Sequence, residues 1–283
     1  MIEELKEHKS LVIALVTVLL IAAAGIMFIA QNRGSAMNGS NTADKEGIKE
    51  PANSKIVAKG RLSAQPATGR FIYEVEEQVV VAIKGDSDGR DAVGFDAALK
   101  INQKVLDFSQ AVSKLPSFEV FSNVNEERLY IGGIRKLDSK SASIFNNAEL
   151  AHITFRAVAQ GSSAVDFMFK PDETTESNIV LTSSQDGLGD VQGTTLYVGD
   201  KIDLSTATAL IVPNTNVKLV LTSITPESAV IEMTLGTSKQ PKTFTWGTGT
   251  VSENIEKFSG FVFQVQKGTA NSVVVYYASD TVN

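Results

Sequence analysis

The sequence has no cysteine. Disulfides, thiol catalysis and cysteine-ligated metals are therefore excluded. Histidine occurs only at His8 and His152. That is too few for a histidine metal cluster, and any Ser-His-Asp triad would have to use one of these two. Basic residues are outnumbered, 26 Lys and Arg against 32 Asp and Glu, for a formal net charge of −6. This balance argues against a nucleic-acid footprint, so no nucleic-acid partner is expected. Paired catalytic carboxylates need a shared cleft about 5–9 Å across. Nothing selects such a pair here, since Glu149 and Asp166 fall at opposite ends of one stretch. No positive feature marks an enzyme.

What the chain does have is a run of about twenty uncharged, apolar residues, Leu11 to Ala30. At 1.5 Å per residue such a run spans a bilayer core, and it exceeds the usual apolar region of a cleaved signal peptide. Residues 1–10 are expected as a cytoplasmic tail, 11–30 as an uncleaved transmembrane signal anchor, and everything after Ala30 as extracytoplasmic. Residues 31–55 are rich in Asn, Gly, Ser, Ala and Lys without apolar periodicity, the pattern of a flexible tether. Its Asn38-Gly39-Ser40 fits a glycosylation sequon, a triplet that a polar linker readily holds by chance.

Period-2 patterning dominates the remainder. In Glu149 to Phe169, Ala151, Ile153, Phe155 and Ala157 alternate with His152, Thr154 and Arg156. Gln160-Gly161-Ser162-Ser163 follows as a turn, then Val165, Phe167 and Phe169 alternate with Asp166, Met168 and Lys170. Strands with one buried and one wet face need a second sheet to cover them, which predicts a β-sandwich. Further β-rich stretches are Ile56 to Leu62, Phe71 to Lys84, Val93 to Ile101, Phe118 to Phe121 and Leu129 to Ile134. In Val93 to Ile101, the apolar Ala97, Leu99 and Ile101 oppose Asp96, Ala98 and Lys100. Val105 to Phe108 reads as a short apolar anchor, and Gly132-Gly133 as a bulge or kink. Asp86, Asp88 and Asp91 are clustered but lack the full spacing and terminal Glu of a calcium loop. A solvated acidic turn is expected, with no metal or other cofactor.

Three features resemble the cohesin family and its carbohydrate-binding-module relatives. They are VGFDAALKINQKVLDF; LYIGGI followed after a loop by ELAHITFRAVAQGSSAVDF; and DGLGDVQGTTLYV, Asp186 to Val198, which looks like that fold's final hairpin. The resemblance covers about half the chain. It implies a non-catalytic β-sandwich that recognises a protein ligand, of dockerin type or another surface protein. The family's Tyr-Asp-Pro-like turn is here Ile101-Asn102-Gln103. Cellulosomal cohesins use an Asn and an Asp two apart on the matching strand; this chain keeps Asp96 but has Gly94 at the Asn position. The candidate binding surface comprises Asp96, Ala98, Lys100, His152, Thr154 and Arg156.

Residues 56–200 are thus expected as the cohesin-like sandwich and 201–216 as a connector. Residues 217–283 are expected as a small second β-domain built on five short strands, a compact barrel or sandwich, with a fibronectin type III module ranked second because it would need more length and an earlier Trp. Trp246 and Phe244 share a side and raise an alternative, a glycan ligand stacked on an aromatic platform. A structural envelope component that assembles through unpaired strand edges is a third reading.

Overall fold

The computed structural model describes residues 58–126, 128–171, 176–206 and 208–280. The anchor and tether expected over residues 1–55 lie outside these. The described residues contain strands and turns, with no helix, as the period-2 patterning predicts. The described residues belong to one compact unit, Lys55–Asn283.

The strands, in chain order, are β1 Gly60–Pro66, β2 Ile72–Glu74, β3 Gln78–Asp86, β4 Ala92–Lys100, β5 Leu106–Ser113, β6 Phe118–Asn125 and β7 Arg128–Arg135. They continue with β8 Ala148–Ala157, β9 Gly161–Phe167, β10 Asn178–Leu181, β11 Leu188–Gln192, β12 Thr194–Ser205 and β13 Ala209–Ile211. The last six are β14 Lys218–Ile224, β15 Ser228–Leu235, β16 Ser238–Thr245, β17 Glu256–Phe258, β18 Phe261–Lys267 and β19 Ser272–Ser279.

The first sandwich packs the sheet β11-β1-β3-β8-β5 against β12-β9-β4-β7-β6, with β10 added on β4 and β2 on β12. Its core takes the inward residue of each alternating pair: Ile153 and Phe155 from β8, Ala97 and Leu99 from β4, Leu129 and Ile131 from β7. Phe95, Phe118 and Phe145 form one aromatic cluster with ring centroids 5.6 to 6.4 Å apart. Such pairs contribute about 0.5–1.5 kcal/mol each beyond the area they bury.

Several expectations are corrected. The two strands on either side of Gly161 do not stay together: β8 pairs with β3 and β5, whereas β9 crosses to the other sheet and pairs with β12 and β4. Asp186 to Val198 is no hairpin, because β11 pairs parallel with β1 while β12 joins the opposite sheet. Phe71 to Lys84 is interrupted by a turn in which Glu76 takes a positive φ of 72°. The Val105 anchor opens into an eight-residue strand, β5. Gly132-Gly133 sits in an unbroken register with β4 and β6, so it is neither bulge nor kink.

The stretch expected as a connector begins inside a strand. The first half of β12 pairs with β9 and its second half with β19, so one strand serves two sandwiches. Beyond it, the sheet β17-β18-β19-β12 covers β13-β14-β15-β16 over a core holding Leu219, Ile231, Phe244, Trp246 and Phe263. The junction is packed. The Arg70 guanidinium lies 4.4 Å from the Tyr73 ring centre and 4.9 Å from that of Tyr276, and it pairs with Glu77. The buried Gln264 amide accepts from Phe71 N at 2.7 Å and donates to Gly69 O and Ser252 O, both at 2.9 Å. Within Lys55–Asn283 the sandwiches therefore share a strand, an aromatic-cation stack and a buried amide.

Candidate functional site

The outward face of β10-β4-β7-β6 follows from its registers. One row across the strands reads Asn178, Asp96, Gly132, Phe121, and the next reads Val180, Gly94, Ile134, Glu119. Glycines therefore occupy two neighbouring positions, Gly94 and Gly132, and leave a depression. Its volume is about 580 Å³, and Phe121, Ile134, Leu137 and Val180 are among its walls. Gly133 serves the other side of the same strand: a Cβ there would lie 2.0 Å from the Phe95 ring. The pair thus lets an aromatic ring pack beneath the sheet and hollows out the surface above it.

The walls are apolar and unshielded. Phe121 is 59% exposed, Ile134 55% and Leu137 fully exposed. Of the eight large apolar side chains exposed among the described residues, five (Phe121, Val124, Ile134, Leu137 and Ile144) lie on β6, β7 or the loop after β7. Three of these, Phe121, Ile134 and Leu137, line the depression; single exposed apolar residues are ordinary, but apolar residues grouped around a depression mark an interaction surface. Asp96 stands on the floor. Partial burial raises its pKa above the ordinary carboxylate value, and a hydrogen bond with the Asn178 side chain offsets part of that rise.

The clustered aspartates support this wall. Asp91 Oδ1 accepts from Arg135 Nη1 at 2.7 Å and from Ser143 N at 2.6 Å. The buried Ser87 hydroxyl accepts from Phe145 N at 3.0 Å. These bonds hold both ends of the loop that carries Leu137. Asp88 pairs with Arg90 at 3.0 Å, and Asp86 caps the Asp88 backbone N–H at 2.8 Å. The three carboxylates are each turned to a different partner, and among the described residues no group of three or more acidic or histidine side chains is placed to hold a metal ion.

The six residues expected to form one surface are divided between two. Asp96, Ala98 and Lys100 belong to β4, and His152, Thr154 and Arg156 to β8, in opposite layers whose inward residues share one core. The two sets point away from each other across the thickness of the sandwich. Ala98 is buried, not wet, because Ser177 covers it: Ala98 N donates to Ser177 Oγ at 3.1 Å. Thr154 is buried on β8, an interior strand of its sheet, with Val80 of β3 and Gln110 of β5 in register on either side. Lys100 and Arg156 are exposed. Arg156 contacts Glu76 at 3.4 Å and Asp107 at 3.7 Å, and His152 contacts Glu149 at 3.2 Å. Trp246 is 1% exposed, its indole N–H donating to Thr225 O at 3.4 Å, and Phe244 is fully buried. The aromatic sugar platform is thereby removed.

Phe121, Ile134 and Leu137 were missed by sequence reasoning. Phe121 and Ile134 looked like ordinary strand apolars, and Leu137 sat in a loop. One signal was available: two glycines inside a strand mark a close approach or a missing side chain.

No family model and no curated protein matches the chain. Solved structures with similarity to it include a cohesin module from a Clostridium perfringens family 33 glycoside hydrolase, at 8% identity and TM-score 0.40, covering 50% of this chain and 98% of that one. A non-cellulosomal cohesin from Archaeoglobus fulgidus shows 14% identity and TM-score 0.39, covering 50% and 93%. The sixth cohesin of Acetivibrio cellulolyticus scaffoldin B, solved in complex with a dockerin, shows 12% identity and TM-score 0.39, covering 50% and 99%.

Proposed function

We propose that this chain is a membrane-anchored, non-catalytic binding protein whose first sandwich recognises a protein ligand through the outer face of β4, β6, β7 and β10. The observation that carries the reading is the glycine-floored depression with exposed Phe121, Ile134 and Leu137 around the carboxylate of Asp96. Large apolar anchors beside one charge are the make-up of a protein-binding hot spot. The sequence resemblance suggests a dockerin-type partner. Gly94 departs from the family's polar pair and replaces a side-chain contact with space, so the ligand has to bring bulk into the groove. The apolar run Leu11 to Ala30 supports anchoring, with the sandwiches displayed outside.

A dockerin-type module from the same genome, titrated calorimetrically into the protein, tests this reading. Binding at ~1 µM or tighter is expected. Phe121→Glu and Asp96→Lys should each weaken it about 30-fold or more, the size of a hot-spot loss. Absence of binding by dockerin-type modules and by the organism's other surface and secreted proteins would end the reading. So would binding that both substitutions leave intact. Protease accessibility on intact cells checks the display: the sandwiches should be cleavable from outside.

One observation favours a second reading, edge-to-edge structural assembly. Strand β6 is the last strand of its sheet and runs eight residues in unbroken register, with Glu119 its only charge and no proline. Natural edges are usually protected. The edge strand β16, by contrast, carries Pro241, Lys239 and Lys242. Sedimentation as a strict monomer at high concentration would remove this alternative, whereas a dimer that Val120→Pro dissociates would support it.

A further inference from the structure

Strands β16 and β17 are the outermost strands of the two sheets of the second sandwich, and a polar cluster spans them. Lys242 lies two residues before the buried Phe244, and Glu256 two residues before the buried Phe258, so both side chains start from the core-facing side of their strands. They meet at the rim of the core: Lys242 Nζ is 3.1 Å from Glu256 Oε2, with the two side chains 23% and 26% exposed. The other carboxylate oxygen, Oε1, accepts from Asn254 Nδ2 at 2.9 Å. One carboxylate thus holds an amine and a primary amide together.

The orientation of the amide is set by the backbone of β16. Asn254 Nδ2 also donates to Thr243 O at 2.9 Å, and Asn254 Oδ1 accepts from Thr245 N at 3.2 Å. A flipped amide would set its nitrogen against an N–H donor and its oxygen against a carbonyl and a carboxylate. The cluster therefore contains a nucleophile, an acid-base group on both the nucleophile and the leaving nitrogen, and an N–H donor on the carbonyl oxygen that would gain charge.

We propose that Lys242 and Asn254 become joined by an intramolecular amide bond, with Glu256 as the proton carrier. Glu256 takes a proton from Lys242 Nζ, and the freed lone pair attacks Asn254 Cγ. The N–H of Thr245 stabilises the oxygen as the tetrahedral carbon forms. Glu256 returns the proton to Nδ2, the C–Nδ2 bond breaks and ammonia leaves, and the second proton that Nζ sheds on becoming an amide N–H passes through Glu256 to the departing ammonia, which escapes as ammonium. A new Nζ–Cγ amide has formed, one ammonia has been lost, and no oxidant or external reagent is required. An unactivated amide is ordinarily unreactive toward an amine, and holding both on the one Glu256 carboxylate supplies the proximity and proton transfer that the reaction needs. In a chain without cysteine, this bond would be a covalent tie between β16 and the segment entering β17, closing the open side of the second sandwich.

Intact mass of the full chain, purified in detergent, together with chymotryptic mapping, tests the proposal. Cleavage after Phe244 and Trp246 places Lys242 and Asn254 on separate peptides. The expected result is a mass one ammonia below that of the sequence and a branched species joining those two peptides. Both should vanish in Glu256→Gln and in Lys242→Arg, and both should persist in Lys239→Arg. A full-length mass with no loss overturns the proposal. So does an ammonia loss that maps to another asparagine, as a succinimide would give, or a branched species that survives in Glu256→Gln.

Discussion

The two outer faces of the first sandwich are made from the same alternating pattern yet present different surfaces. On β8, the outward residues are matched to partners on the protein itself: Arg156 to Glu76 and Asp107, His152 to Glu149. On β4, β6 and β7, the outward rows hold glycines, an exposed phenylalanine and an exposed isoleucine. Exposed ion pairs on the first face are hydrated and contribute little to anything, typically below about 1 kcal/mol. The second face leaves apolar area that only a ligand can remove from water, at about 25 cal/mol per Å². Polarity alone therefore favours the β8 face, whereas the proposed function rests on the other. What distinguishes the binding candidate is apolar surface left uncovered around a depression.

The largest expected effect separates buried from exposed phenylalanine within one sheet. Phe95→Ala should destabilise the protein by about 3–5 kcal/mol in chemical denaturation, as core aromatic truncations do, while Phe121→Ala should stay within ~0.5 kcal/mol. Equal losses would mean that Phe121 is packed. Next is the glycine pair. Gly133→Ala drives a methyl into the Phe95 ring and should cost about 1–3 kcal/mol through overpacking. Gly132→Ala meets only Asp96 Oδ1, at 3.2 Å, so its stability cost should be smaller and its main effect should be on ligand affinity.

A smaller effect belongs to Asp96. Because its pKa is raised in the folded protein, the fold holds the Asp96 proton more tightly than the unfolded chain does. The stabilisation this gives is complete below the ordinary value of 3.8 and is lost as pH climbs through the raised value. At neutral pH the charged form is therefore a slight burden, kept small by solvent screening of an exposed side chain. Asp96→Asn should melt no lower than the parent at pH 7, by a margin within ~0.5 kcal/mol, and that margin should disappear below pH 3.8. A melting difference that grows on acidification would contradict the assignment. Smallest of all, Arg156→Glu should change stability by less than about 1 kcal/mol.

Much of the architecture was legible in the residues. Alternation located most strands of the first sandwich and assigned Ile153, Phe155, Ala97 and Leu99 to the core. Alternation is a local property, however. It says which side of a strand is wet and not which sheet the strand joins, so β8 and β9 looked like neighbours, and Asp96 and Arg156 looked like one surface. It also cannot see a lid: Ala98 falls in a wet position by period and is dry because Ser177, far along the chain, lies over it. The shared strand β12 escaped because one continuous run of residues can pair with a different partner at each end. The depression escaped because its defining residues, Gly94 and Gly132, contribute by having no side chain.

The central claim is that the face of β6 and β7, not that of β8, receives the ligand. Backbone amide exchange with and without a bound dockerin-type module tests it most directly. Slowed exchange is predicted over residues 118–137, with residues 148–157 unchanged. Protection confined to residues 148–157, with 118–137 exchanging as in the free protein, would contradict the account.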